Sequence, residues 1–157
     1  MVSQTFKKGI ILSVLVVIAI AIFDIISAHS GVFGTYEQYT NGEFDPSWWD
    51  VFYKFNLIML FIIPVSYYFF AHRDLSESIA LFLTSYILWF FALADVLFFL
   101  FQGKMVPSTL PWLNQHPIIG NLASIIGDGI VTRNVVFISV ALGFILVYFT
   151  TKELEKI

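Results

Sequence analysis

Residues 79–101 read IALFLTSYILWFFALADVLFFLF, and this stretch decides the fold class. Its 23 residues carry a single charge, Asp95. A helix needs about 20 apolar residues to cross a hydrocarbon core of ~30 Å. Backbone groups in lipid must be satisfied within the segment, so the stretch predicts a transmembrane helix. Three more stretches of the same kind lie around it, at 9–26, 51–70 and 130–150. The sequence therefore predicts an all-α protein, a polytopic membrane four-helix bundle forming a single domain over 1–157.

Composition agrees. Of 157 residues, 59% are hydrophobic and 12% charged, and the mean hydropathy is +0.85. A soluble domain carries about twice that charged fraction. Eighteen Phe against eight Lys plus Arg would give a soluble protein more apolar surface than it could bury, so the lipid bilayer is the expected partner. The absence of Cys excludes a disulfide framework, thiol or quinone-coupled dithiol chemistry, Fe–S ligation and thiolate zinc. A net charge of −3 with no basic run argues against nucleic acid.

A Lys pair before an apolar run also describes a secretory signal. Asp24 interrupts this one, and Ser27, Ala28 and His29 offer no clean cleavage site, so an uncleaved first span is expected. Bases near the span ends set orientation. With the N-terminus inside, the cytoplasmic side holds Lys7, Lys8, Arg73, Lys152 and Lys156, and the other side Lys54, Lys104 and Arg133. The loop before the second span carries Glu37, Glu43, Asp45 and Asp50 and no base. A multi-pass protein with both termini cytoplasmic follows. Ser76 or Ser78 suits the cap of the third helix, Trp48 and Trp49 an interfacial belt, and Pro64 a kink in the second.

Between the third and fourth spans, residues 117–126 read PIIGNLASII and are followed by Gly127, Asp128 and Gly129. Ile118, Ile119, Leu122, Ile125 and Ile126 fall on one helical face, and Pro117 suits a first helical position. The pattern predicts a short interfacial or re-entrant helix that packs this isoleucine face on the rim of the bundle.

Chemistry is expected where polar groups enter the spans. On a straight helix, Asp95 lies sixteen positions past Ile79, roughly 24 Å from the inner edge of the core. Asp24 reaches nearly the same height on the first span. Lys54, Asn56, Arg133 and Asn134 lie within the first turns of spans that enter from outside. Helical stripes join Ser13, Val17, Ala21, Asp24 and Ala28 on the first span, Trp49, Tyr53, Asn56, Ile63 and Tyr67 on the second, and Thr84, Leu88, Asp95 and Gln102 on the third, with small Ala92 beside it. One reading is a ligand site built on Asp95, Asp24, Asn56, Arg133 and Lys54, because intramembrane carboxylates are costly and usually functional. The other is that the two acids pair with Lys54 and Arg133 and pin the helices together.

His29, His116 and Asp95 are the candidates for a metal. No two of them have the i,i+3 or i,i+4 spacing of a helical metal motif. His72 reads as a solvated turn residue, and three His are too few for a histidine-box oxygenase. There is no phosphate loop, nucleophile elbow or zincin helix, so no cofactor is indicated and the sequence does not decide whether the chain is an enzyme. Ser139 and Gly143 form a small-xxx-small contact patch.

The order of a span, an acidic loop ending in Phe44, Pro46 and the pair Trp48–Trp49, a turn of His72, Arg73 and Asp74, and Asp95 late in the third span is similar to the C subunit of membrane-bound copper monooxygenases. In that family a ligand His follows the acid four residues on. Here Phe99 stands there, and no His stands thirteen positions after it. The departure removes the metal site, and the resemblance does not extend to membership. Two functions fit these residues: a non-catalytic subunit of a larger membrane complex, associating with other membrane subunits or with itself, or a small-molecule, lipid or metal site facing the outer leaflet, enzymatic or transporting.

Overall fold

The computed structural model describes residues 4–30, 46–72 and 75–154 and is all-helical, with no strand among the described residues. Helix α1 spans Gln4–Ser30 and α2 Pro46–Ser66, the latter passing into a π-helical turn at Tyr67–His72. Helices α3 (Leu75–Phe90) and α4 (Leu93–Phe101) follow, then a 3₁₀ turn at Pro111–Leu113, α5 (Ile119–Ile126) and α6 (Arg133–Leu154). The acidic loop of 31–45, Arg73 and the side chains of Trp48 and Trp49 lie outside what is described.

Three helices are long and apolar enough to cross a membrane: Lys8–Ser30, Tyr53–Phe70 and Arg133–Leu154. The third expected span is different. It is broken at Phe91 and Ala92, and α4 leaves α3 at 68°. Helix α3, with 16 residues, rises about 24 Å and alone falls short of the core. The bent pair has the form of a broken span or a re-entrant element, and the depth reckoned for Asp95 along a straight helix does not hold.

The break has a clear geometry and no Pro or Gly to announce it. Phe91 N–H still donates to the Ile87 carbonyl, but Ala92 N–H tightens onto Trp89, and the ladder restarts when Val96 N–H reaches the Ala92 carbonyl. Ala92 carries φ +66°, a left-handed conformation that normally falls to Gly at helix ends. Asp95 sits in the first turn of α4, where unpaired N–H groups and the helix dipole favour a negative charge. Helix α6 presses on the break from behind, since a Cβ added at Gly143 would stand 2.8 Å from the Phe91 Cβ. The buried pair Ser139 and Gly143 is thus contact surface within this chain.

The stripe read on α1 is a buried face: Ser13, Val17 and Ala21 are fully buried and Ala28 nearly so. Val17, Ile20, Leu60, Leu88, Leu93 and Val147 join α1, α2, α3, α4 and α6 in one apolar core. Ser13 and Thr84 share a buried hydrogen bond between α1 and α3. Helix α3 already begins at Leu75, so Ser76 and Ser78 lie inside its first turn and do not cap it. Pro64 sits inside α2, where it removes one backbone donor, and the π-helical turn begins three residues on.

Segment 102–132 folds as a cap over the broken end. Its own core contains Val106, Leu110, Leu113, Ile119, Ala123 and Val131. Leu110 N–H donates to Val131 O (2.8 Å), Arg133 N–H to Ser108 O (3.1 Å) and Val131 N–H to Asn114 Oδ1 (2.8 Å). The short helix expected at 117–126 is present, its hydrogen bonds beginning with Gly120 N–H to His116 O. Its buried face coincides only in part with the expected one: Ile119 is buried and Leu122 packs against the cap core, but the last two isoleucines turn outward. Ile119, Gly120 and Ala123 pack inward, whereas Ile125 is 81% and Ile126 49% exposed. Gly120 sets that rotation, because a Cβ there would stand 2.2 Å from the Asn114 carbonyl oxygen.

Candidate functional site

Where the cap meets the break, a cavity of about 40 Å³ is lined by Asp24, Tyr53, Trp89, Ala92, Ala94, Asp95, Leu113, His116 and Ile119. That is room for on the order of one to three waters or one small ion. Five elements contribute. Asp24 comes from the buried stripe of α1, Tyr53 from α2, Trp89 from the last turn of α3, Asp95 from the first turn of α4, and His116 from the turn that leads into α5. The break makes the site: with a straight third span, Trp89 and Asp95 would not both border this space beneath His116.

The two carboxylates feel one another electrostatically. Asp95 Oδ1 accepts one hydrogen bond, from the Trp112 indole N–H at 3.2 Å. Asp24 Oδ1 is buried and has no partner. Asn56, one turn along α2 from Tyr53, is fully buried beside Asp24. Its side chain lies within hydrogen-bonding reach of the Asp24 carboxylate, although no bond of good geometry forms between them, and Asn56 stands behind Asp24 without bordering the cavity.

The expected bases do not join them. Among the described residues neither Asp24 nor Asp95 forms an ion pair with Lys54 or Arg133, and no Lys or Arg lines the cavity. Lys54 is exposed two residues from Asn56, on the opposite side of α2, and has its interactions elsewhere. Arg133 starts α6, its backbone tied to Ser108 and its Nε buried without a hydrogen bond. Asn134 is exposed. Shared height on separate helices thus does not bring these four side chains into ion pairs among the described residues.

His116 packs its ring on Phe90, with centroids 4.5 Å apart. Its Nδ1 faces the N–H groups of Ile118 and Ile119, each at 3.4 Å, so Nδ1 is the acceptor and the proton is assigned to Nε2. Burial pushes this imidazole down to about 4. His116 is therefore a neutral cap of α5. His29 lies apart, exposed on α1, with Nδ1 against the Ile25 carbonyl of its own helix. The three metal candidates are thus not brought together, and among the described residues no three His, Asp or Glu side chains are grouped to hold a metal.

No protein-family model, curated protein or solved structure matches the chain. Of the positions compared with the copper monooxygenase C subunit, Asp95, Phe99 and the one thirteen residues after Phe99 lie together. The thirteenth residue after Phe99 is Trp112, whose ring lies 6.2 Å from that of Phe99 and whose N–H holds Asp95. A carboxylate, a phenyl and an indole offer a metal one ligand.

Trp89 and Trp112 are site residues the sequence reading missed, whereas Ala92 was placed beside the Asp95 stripe without its left-handed turn being foreseen. Trp112 had a usable signal, since an indole N–H near a membrane-buried acid seeks an acceptor. Trp89 packs against Tyr53 with the rings tilted and their centroids 5.2 Å apart, and Tyr53 lay on the α2 stripe.

Proposed function

We propose that the chain is a four-span membrane protein, both termini cytoplasmic, whose functional centre is the Asp24–Asp95 pair, a binding site for one positive charge, as a proton or a small cation. The observation that carries this reading is the cavity lined by two mutually repelling carboxylates and no basic side chain. Two like charges in a low-dielectric space are tolerated only with a compensating charge. In this reading the cavity lies toward the outer face and the α3–α4 pair is the fourth, broken span. Nothing in the cavity calls for catalysis.

Asp24→Asn and Asp95→Asn test it, since each removes one charge and keeps the shape. The carboxamide introduced by Asp95→Asn keeps an oxygen for the Trp112 N–H. In a buffer without small cations, each variant should melt no lower than the parent and should lose most of the parent's pH dependence. A melt lowered by each single change and restored by a further loss of Arg133 or Lys54 charge would favour ion pairing instead. Single cysteines at Ser76 and Ser108 test the topology. Only the one at Ser108 should react with an impermeant reagent outside intact cells.

The small size also suits a non-catalytic subunit of a larger membrane complex, and the outward faces of α6, including Phe137, Ile138, Phe144 and Phe149, are exposed and apolar. Co-purification with other polypeptides in mild detergent would support that role, which is compatible with the charge site.

A further inference from the structure

We propose that a pocket at the Lys8 end of the bundle holds the headgroup of a zwitterionic phospholipid with a primary amine, its ammonium on Glu77 and its phosphate on Lys8. This site is separate from the carboxylate pair. It rests only on the reading of the chain as a membrane protein.

The pocket opens where four segments meet. Lys8 and Leu12 come from α1, Tyr67 from the π-helical turn, Glu77 and Leu81 from α3, and Leu154 from α6. Lys8 begins one of the stretches apolar enough to cross a membrane and Leu154 ends another. The pocket therefore stands at the level where spans leave the hydrocarbon, which is where headgroups lie. Leu81 is buried, whereas Lys8 is exposed and Glu77 half-buried. The leucines thus make an apolar floor beneath a charged rim.

Charge selects a zwitterion. The rim carries one cation and one anion, and Lys8 Nζ stands 3.8 Å from Glu77 Oε2. A charge-assisted hydrogen bond is shorter, at about 2.7–2.9 Å. An ion pair this exposed contributes little, so a headgroup that exchanges it for two closer pairs gives up little. Tyr67 donates to the same carboxylate oxygen at 3.1 Å and orients it at the rim. An anionic headgroup would meet Glu77 as a like charge.

Size selects the primary amine. The pocket measures about 90 Å³. A cavity of ~150 Å³ holds one benzene, so this is room for about four heavy atoms, an aminoethyl group and its ester oxygen. Its two methylenes suit the leucine floor, and the acyl chains run outside along the helices. A trimethylammonium group is larger and brings no N–H to the carboxylate, whereas a primary ammonium brings three.

The test is thermal melting of the purified chain in a non-ionic detergent doped with one dioleoyl lipid at a time: phosphatidylethanolamine, phosphatidylcholine or phosphatidylglycerol. The ethanolamine lipid should raise the melting temperature with the logarithm of its mole fraction, and the other two should need at least tenfold more for the same shift. Glu77→Gln, which keeps an acceptor for Tyr67, and Lys8→Gln should each need at least tenfold more ethanolamine lipid than the parent. A Cβ added at Gly9, which also lines the pocket, meets nothing within 4 Å. Gly9→Leu therefore fills open space without altering a charge; it should abolish the shift, and it serves if the charge variants do not fold. Equal shifts from the three lipids, or an ethanolamine shift unchanged in these variants, overturn the site. A shift of the same size from soluble glycerophosphoethanolamine overturns the lipid as its source. Asp24→Asn should leave the lipid shift unchanged, so a failure here does not touch the carboxylate pair. A chain that stays monodisperse without detergent overturns the membrane reading on which the proposal rests.

Discussion

The two ends of the molecule treat their polar groups in opposite ways. At the Lys8 end, polar side chains find each other: Tyr67 donates to Glu77 at 3.1 Å, Lys8 stands 3.8 Å from the same carboxylate, and Thr151 donates to its own helix at 2.6 Å. A little deeper, Ser13 and Thr84 close across two helices. At the Asp24 end, Asp24 and Asn56 hold buried atoms with no partner, two acids face one space, and a non-glycine residue sits in a left-handed conformation. Each end has a buried apolar cluster beside it, so the difference is not a lack of packing. The first end satisfies its polar groups locally. The second keeps strain and unsatisfied polarity, which persist where the surroundings over-determine them and which mark a site.

The largest effect expected comes from the cap that holds the Asp24 end in place. Gly120→Ala should cost about 3 kcal/mol, because the new Cβ meets a backbone oxygen that cannot yield easily. Chemical or thermal unfolding in detergent measures it. A loss below about 1 kcal/mol would mean that the cap does not depend on this close approach. Ala92→Val comes next, at about 2 kcal/mol, since a β-branched residue is not tolerated at φ +66°. If the valine variant keeps its stability, the third span runs straight and the site as described does not exist.

The comparison itself is sharpest in a pair of apolar replacements. Thr84→Val removes a satisfied hydrogen bond between helices and should lower stability by about 1 kcal/mol. Asn56→Leu removes an unsatisfied group and should leave stability unchanged or raise it by up to about 1 kcal/mol in cation-free buffer. Equal losses at both sites would erase the distinction drawn between the two ends.

A further effect, confined to acid pH, comes from His116, whose imidazole is lowered by burial to about 4 in the folded chain from its ordinary value of about 6.5. Between those values the unfolded chain binds more protons, so stability should fall as pH drops from about 6.5 toward 4 and level off below. His116→Asn, which keeps an acceptor for the Ile118 and Ile119 N–H groups, should flatten that slope. An unchanged slope would assign it to other groups.

Much of this architecture was legible because lipid makes hydrophobic length decisive. Three helices long and apolar enough to cross a membrane, and the buried stripe of α1, could be read from apolar run length and period alone. Asp24, Asn56 and Asp95 were legible for the same reason, as polar letters in apolar words. The break was not, because Phe91-Ala92-Leu93 contains no Pro or Gly. It depends on Gly143, more than fifty positions on, letting α6 approach Phe91. Height along a helix then misled the assignment of partners. Lys54 shares a depth with Asn56 but points the other way, and Arg133 is drawn off by the cap. The isoleucine face of α5 was right for Ile119 and Leu122 and wrong for Ile125 and Ile126, because the close contact at Gly120 decides the rotation.

The most direct test of the central claim, that Asp24 and Asp95 together hold one positive charge, is infrared spectroscopy of the carboxyl groups in the purified chain. Without small cations at neutral pH, the parent should show a carboxylic-acid C=O band that neither Asp24→Asn nor Asp95→Asn retains in full. Two fully ionised carboxylates under cation-free conditions would contradict the account.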